Sequence, residues 1–135
     1  MLAGAVTLLL RPARATPLEM ELAIAAFTGA AVPQAGRVAI ELPPLVENGN
    51  VVPVSVAVPD AAPGEIAALA LFTAGNPQPG VVVATLGPRA GAARLDTRMR
   101  LATSQTVVAV ARAADGRCWR RAAEVVVTLA ACVEG

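Results

Sequence analysis

The chain has 135 residues, of which 56% are apolar and 16% charged, and this composition is typical of one globular domain rather than of a disordered segment. The formal net charge of +1 gives no reason to expect nucleic acid as a partner. Histidine is absent and only two cysteines occur, Cys118 and Cys132, which excludes a Ser-His-Asp or Cys-His catalytic pairing and a structural zinc site within one chain.

The first fifteen residues differ in character from those that follow. The apolar run 2–10 is too short to span a bilayer, and Ala13-Arg14-Ala15 has the small-x-small form of a signal peptidase site. We interpret residues 1–15 as a truncated secretory signal whose positively charged upstream part is missing from this start site. The alternative is a buried N-terminal strand that stays in the folded protein.

A helix is predicted directly after that segment. Residues 16–19 form a capping box with proline at the first helical position, and Gly29 followed by Pro33 ends the run. Helical spacing gives one shared apolar face: Leu18, Leu22, Ala25 and Ala26. We expect the helix to pack on the domain through this face.

Seven short β-rich runs follow, separated by turn residues. They lie at residues 37–42, 51–58, 66–72, 81–86, 93–101, 105–112 and 118–129. No helical pattern intervenes between them, so the pattern favours an all-β sandwich of two sheets over a parallel α/β sheet.

Two turns are predicted from Gly-containing dipeptides, Asn48-Gly49 before the second run and Asp115-Gly116 between the last two. Two-residue hairpin pairing at the second turn places Trp119 opposite Arg112, where a contact between the guanidinium and the ring is expected. The same pairing places Cys118 opposite Ala113. We interpret Cys118 as an ordinary strand cysteine, with a disulfide to Cys132 or to another subunit as the alternative.

Two of the runs predict the character of their faces. In run 93–101 apolar residues alternate with four charged ones: Arg94, Asp96, Arg98 and Arg100. This arginine-rich stripe is either a solvated sheet face or a surface for an acidic partner. Run 51–58 is rich in valine, so we expect it to be covered on both faces, by the domain or by another subunit.

The last run continues to the end of the chain and places Cys132 three residues from the terminus. Chain ends are poorly ordered unless they are tied down, and the four residues 129–132 extend at most about 13 Å. We therefore interpret residues 129–135 as a mobile arm that carries a thiol beyond the surface of the domain.

Several segments resemble the family of SoxY, the sulfur-carrier subunit of the bacterial thiosulfate-oxidising Sox multienzyme system. The most specific is Ile40-Glu41-Leu42-Pro43-Pro44-Leu45-Val46-Glu47-Asn48-Gly49-Asn50-Val51-Val52-Pro53-Val54. Residues 76–79, residues 97–111 and the Asp115-Gly116 turn before Trp119 follow in the order that the family shows. The resemblance covers residues 27 to 132.

The resemblance implies an immunoglobulin-like antiparallel sandwich of about seven strands over residues 16–128, with a short N-terminal helix. It also implies pairing with a SoxZ-like subunit in the periplasm. Cys132 matches the carrier cysteine, on which thiosulfate-derived sulfur is held. The chemistry then belongs to partner enzymes: a haem protein, a sulfate-releasing hydrolase and a sulfane dehydrogenase. The carrier itself is not an enzyme and needs no metal, cofactor or membrane.

The arm departs from the family pattern, which reads Gly-Gly-Cys-Gly-Gly. Here the cysteine is flanked by residues that restrict the backbone more and add a charge: Ala130, Ala131, Val133, Glu134 and Gly135. Glu134 and the terminal carboxylate disfavour the thiolate, so the pKa of Cys132 is expected to rise. The twin-arginine signal that is usual in the family is also absent.

Two other readings remain beside the carrier. A degenerate family member would act as a binding or assembly module that pairs with a SoxZ-like subunit but carries no sulfur, and the replaced glycines favour it. A thiol-dependent enzyme is disfavoured, because no base and no resolving thiol accompany Cys132.

Overall fold

The computed structural model describes residues 15–29 and 31–128. Within these ranges the chain forms one helix and nine strands: α1 Pro17–Thr28, β1 Gln34–Ala35, β2 Ala39–Glu41, β3 Leu45–Val46, β4 Val52–Ala57, β5 Ile66–Thr73, β6 Gly80–Thr85, β7 Arg94–Met99, β8 Gln105–Ala113 and β9 Cys118–Val127. Most of the predicted signal segment, residues 1–14, and the predicted arm, residues 129–135, lie outside the described residues.

The strands form two sheets. The larger has the order β1-β9-β8-β5-β6, with β3 also paired to β9, and the smaller has the order β2-β4-β7. The pairs of β9 with β1 and β3 are parallel, whereas the other pairs are antiparallel. The predicted immunoglobulin-like sandwich is confirmed. All seven predicted runs contain a strand, and β1 and β3 are additional.

The two sheets enclose the main core. The fully buried side chains of this core come mostly from alternate residues of facing strands: Val52, Val56, Leu69, Leu71, Val107 and Val125, with Leu101 after β7. In β4 the intervening Pro53, Ser55 and Ala57 are only partly covered or exposed. The domain therefore covers only one face of this strand, because the buried valines lie at a spacing of two, and coverage of the other face by another subunit stays a prediction.

The helix covers the outer face of the larger sheet, but not through the predicted side chains. Met20 and Ile24 are buried against β5 and β8, while Leu18 and Leu22 are 69% and 62% exposed. The helix is apolar on most of its surface, so spacing alone does not choose a face. On the flank of the helix, the Glu21 carboxylate pairs with Arg120 of β9 at 2.8 Å.

The β8–β9 hairpin is one residue out of the predicted register. The Ala113 N–H donates to the Arg117 carbonyl at 2.8 Å, which leaves a three-residue loop with Gly116 at φ 92°. Such a loop, a turn followed by a left-handed residue, accounts for Arg112 lying opposite Cys118 instead of Trp119.

The predicted contact between Arg112 and the Trp119 ring is therefore not formed, and each of these residues has another partner. The Arg112 guanidinium lies 4.6 Å from the centre of the Phe27 ring, and Trp119 is covered by Arg37 at 4.4 Å. Arg37 also donates to both carboxylate oxygens of Glu65 at 2.8 and 2.9 Å, which lowers the pKa of Glu65 to about 2. This charged cluster closes the end of the sandwich at which β9 begins.

The assignment of the buried helix face is testable with a pair of truncations. Ile24→Ala should lower the free energy of unfolding by about 2–5 kcal/mol, because it leaves a cavity between α1 and the sheet. Leu22→Ala should change it by less than about 0.5 kcal/mol. Urea titration followed by circular dichroism gives both values. A larger loss for Leu22→Ala than for Ile24→Ala would show that the other face of the helix is the packed one.

Candidate functional site at the end of strand β9

The end of β9 is fixed on one side by β3. Leu45 and Val46 lie in parallel register with the last two residues of β9. The Val126 N–H donates to the Pro44 carbonyl and the Thr128 N–H to the Val46 carbonyl, both at 2.9 Å. The short strand therefore holds the backbone of β9 up to Thr128.

The opposite side of the same strand end is fixed by a hydroxyl. Ser104, in the loop between β7 and β8, accepts the N–H of Val127 at 2.8 Å through its Oγ, which also lies 3.5 Å from the Val127 carbonyl oxygen. The last residue of β9 is thus held by a side chain on one edge and by a backbone strand on the other.

The loop that carries Ser104 is itself fixed by the side chain of Asn76. This amide donates to the Arg100 carbonyl at 2.7 Å and accepts from the Ala102 N–H and the Gln105 side chain, each at 2.9 Å. The Asn76 carbonyl accepts the N–H of Ala15 at 2.7 Å. One residue therefore links the start of the described chain, the loop after β7 and the start of β8.

Gln105 completes this polar network below the surface. It is 8% exposed, its amide accepts the N–H of Gly75 at 2.9 Å, and it donates to the Thr103 carbonyl at 3.0 Å. A Cβ at position 75 would come within 2.9 Å of Gln105 Cβ and of Thr103 Cγ2, so only glycine allows the two loops to approach this closely. A buried amide with all its groups paired makes the loop rigid.

The predicted carrier cysteine lies beyond this anchored strand end. Cys132 and its neighbours Ala130, Ala131, Val133, Glu134 and Gly135 are outside the described residues. Because the backbone is held up to Thr128, Cys132 lies only four positions beyond the last anchored residue. Four residues of extended chain span at most about 14 Å.

Cys118 occupies a different environment. It is 2% exposed at the start of β9, its Sγ lies 3.6 Å from the Gly116 carbonyl oxygen, and burial raises the pKa of its thiol. The structure thus bears out an ordinary strand cysteine.

A disulfide within one chain is inconsistent with this geometry. The ten residues of β9 place Val127 about 30 Å from Cys118 at ~3.3 Å per residue. Five further residues reach back at most about 18 Å, which leaves a gap of about 12 Å, more than the ~7 Å that a disulfide permits between Cα atoms. Cys132 therefore does not bridge to Cys118 while β9 is intact.

The strand end offers no catalytic apparatus among the described residues. Glu124, three residues before the end of β9, accepts a hydrogen bond from the Thr106 hydroxyl, and Glu47 follows the residue that pairs with Val127. Within residues 15–29 and 31–128 no three Cys, Asp or Glu side chains come together as a metal site. In that same part of the chain, no helix is long and apolar enough to cross a membrane.

Together these features define an immunoglobulin-like domain whose last strand is anchored up to a short cysteine-bearing terminus. The profile of the family "Sulfur oxidation protein SoxY" matches residues 24–132. The sulfur carrier protein SoxY from Chlorobium limicola f thiosulfatophilum superposes with a TM-score of 0.70 at 34% identity, over 83% of this chain and 98% of that one. The chain belongs to the SoxY family.

More distant structures share the fold alone. A superoxide reductase (neelaredoxin) from Ignicoccus hospitalis matches with a TM-score of 0.58 at 20% identity, over 68% of this chain and 80% of that one. Its E23A variant matches with a TM-score of 0.59 at 21% identity, over 76% and 86%. Sequence comparison with curated proteins gives no significant match.

β3 and Ser104 have no counterpart in the sequence-based prediction. β3 has two residues, and it pairs with a strand some eighty positions away, so no local periodicity indicates it. Ser104 bonds to a residue 23 positions away, and nothing in its own neighbourhood marks that contact. β3, Ser104 and Asn76 all lie in segments that carry the family resemblance, although their contacts at the strand end become visible only in the fold.

Ser104→Ala tests whether the hydroxyl holds the strand end. Losing a hydrogen bond worth about 1 kcal/mol should speed amide exchange at Val127 about fivefold. Ser55→Ala, which removes a hydroxyl from the other sheet, should leave that rate unchanged. Hydrogen exchange followed by NMR resolves the single amide. An unaltered Val127 rate in Ser104→Ala would mean that β3 alone anchors the end of β9.

Proposed function

We propose that this SoxY family member is a sulfur carrier that holds thiosulfate-derived sulfur on Cys132 and presents it to enzymes of the Sox system. The observation that carries the proposal is the anchoring of β9 up to Thr128, only four residues before that cysteine. The family match extends to residue 132, so the thiol lies within the matched region. The name of the Chlorobium relative, a sulfur carrier protein, supports the same role.

The chemistry assigned to the carrier is limited to attachment. The Cys132 thiol joins thiosulfate through a new S–S bond, and the thiol proton and two electrons leave, the electrons passing to the haem partner. Water then cleaves the terminal sulfonate as sulfate in the hydrolase, which leaves sulfane sulfur on the cysteine for the dehydrogenase. These steps need no acid–base pair on the carrier, in keeping with a chain that lacks histidine.

The partners and the location belong to the same proposal. A SoxZ-like subunit pairs with the domain formed by residues 16–128, residues 129–135 act as the arm, and residues 1–15 serve export to the periplasm. Ala15 is 2% exposed and its N–H is bonded to Asn76, so this last residue of the export segment packs against the domain.

The arm composition favours a second candidate. Ala130, Ala131 and Val133 stand where the family has glycine, and β-branched valine restricts the backbone most. A chain that no longer enters partner active sites would keep the fold and the pairing surface as an assembly module without cargo.

Replacement of each cysteine separates the two candidates. In a reconstituted Sox system, Cys132→Ser should abolish thiosulfate-dependent turnover, because the attachment atom is lost, while co-purification with the SoxZ-like subunit is retained. Cys118→Ala is the matched control, and it should keep turnover, because the buried Cys118 thiol takes no part. Cytochrome reduction and sulfate release are the two readouts. Turnover by Cys132→Ser at the wild-type rate would end the carrier proposal.

A further inference from the structure

Most of the arginines in the described chain are already engaged. Arg37, Arg94, Arg117 and Arg120 form ion pairs with carboxylates, and Arg112 donates to the Phe27 carbonyl at 2.6 Å. Among the described residues four exposed arginines have no ion-pair partner: Arg89, Arg98, Arg100 and Arg121. The positive charge that is free to meet another molecule is therefore concentrated in a few places.

Two of these four lie together at the end of the sandwich where β9 ends. Arg98 and Arg100 are two positions apart along an extended chain, and both are exposed while Met99 and Leu101 between and after them are buried. Their guanidiniums therefore leave the same outer side of the smaller sheet. The neighbouring Arg94 is neutralised by Asp96 at 2.8 Å, so the stripe predicted from the sequence is positive only at this end.

The backbone of Arg100 is rigidly placed near the end of β9. Its carbonyl accepts from the Asn76 amide at 2.7 Å, and the next N–H, of Leu101, donates to the Gly49 carbonyl at 2.8 Å. Four residues on, Ser104 bonds to Val127. Arg100 thus lies within about 14 Å of Ser104, which bonds to the anchored strand end.

The position of Arg98 and Arg100 matters because Cys132 lies only four positions beyond Thr128. An enzyme that receives Cys132 must bring its reactive centre to within about 14 Å of Thr128, so its surface must lie against this end of the sandwich. Unpaired guanidiniums there face the enzyme during every transfer. The ~14 Å limit applies to the reactive centre, whereas carboxylates on a partner surface that touches this end of the sandwich come within the Debye length of ~10 Å at 0.1 M salt.

We propose that Arg98 and Arg100 form a docking surface for an acidic protein surface bordering the active-site entrance of the enzymes that receive Cys132. The inference rests on the proposed carrier function and extends it to partner recognition. Glu124 belongs to the other sheet, whereas Glu47 lies two residues before Gly49, whose carbonyl bonds to Leu101. At this end of the sandwich the side of the smaller sheet therefore carries two exposed arginines against one exposed carboxylate, an excess of positive charge that orients the partner as well as attracting it.

A nucleic acid is a poorer fit for the same surface. Binding to a polyanion depends on many phosphate contacts, about 6–10 for a strong salt-dependent complex, and two arginines do not supply them. A folded enzyme with a few carboxylates beside its active-site entrance offers about as many charges as the two guanidiniums can pair with, over a surface of similar size.

The test is a double charge reversal, Arg98→Glu/Arg100→Glu, in the full chain. The control is Arg89→Glu/Arg121→Glu, which makes the same change in net charge at exposed arginines away from the end of β9. Both pairs are also placed on Cys132→Ser, and the association rate of these chains with the sulfate-releasing Sox hydrolase is followed by stopped flow at 0.02 to 1 M NaCl. This readout needs no sulfur transfer, so it is independent of the carrier chemistry.

We expect the Arg98/Arg100 reversal to slow association at least tenfold at 0.02 M NaCl and to differ little from the parent chain at 1 M, where the Debye length is about 3 Å. The control pair should stay within twofold at both salt concentrations. With loaded carrier, kcat/KM should fall by the same factor while kcat stays constant. Equal effects of the two pairs, or a loss that persists at 1 M NaCl, would overturn the docking surface. Failure of the carrier function would appear separately, as turnover that does not depend on Cys132.

Discussion

The end of β9 is held between the carbonyl of Val46 and the hydroxyl of Ser104, and this restraint fixes the backbone up to Thr128. A carrier whose last strand frayed would have an arm of undefined length, whereas here the anchored part ends at Thr128. The rest of the domain supports this point. Asn76 and Gln105 hold the loop of Ser104, and at the opposite end the cluster of Arg37, Glu65 and Trp119 closes the sandwich. The charged cluster thus lies at the end where β9 begins, and the anchored strand end lies at the other.

Much of the fold was predictable because its signals are local. Short β-rich runs between turn residues located all seven longer strands, and the capping box located the N-cap of α1 at Thr16. What failed depends on distant contacts. The buried face of α1 depends on the packing of Met20 and Ile24 against β5 and β8, and the hairpin register depends on the left-handed conformation of Gly116. The two-residue strands β1 and β3 are defined only by their parallel partner.

Of the candidate site, the sequence predicted the cysteine and the arginine stripe but not the anchoring of the strand end. Cys132 was singled out by its position and by the family resemblance, and it lies outside the described residues, so its role stays a prediction. The anchoring of the strand end was not foreseen, since Ser104 and β3 carry no local pattern. The arginine stripe was foreseen as a pattern, and only the structure separates Arg94, which is paired, from Arg98 and Arg100, which are not. Charge distribution is a tertiary property, because each ion pair depends on which side chains the fold brings together.

Intact-protein mass spectrometry, with and without reductant, on protein isolated from cells grown on thiosulfate tests the central claim most directly. Peptide mapping then assigns any added mass to one of the two cysteines. The carrier account predicts a reductant-sensitive sulfane or sulfonate adduct on Cys132 and an unmodified Cys118, whose thiol is buried and has a raised pKa. An unmodified Cys132, in cells whose other sulfur carriers are loaded, would contradict the account and leave the assembly module in its place.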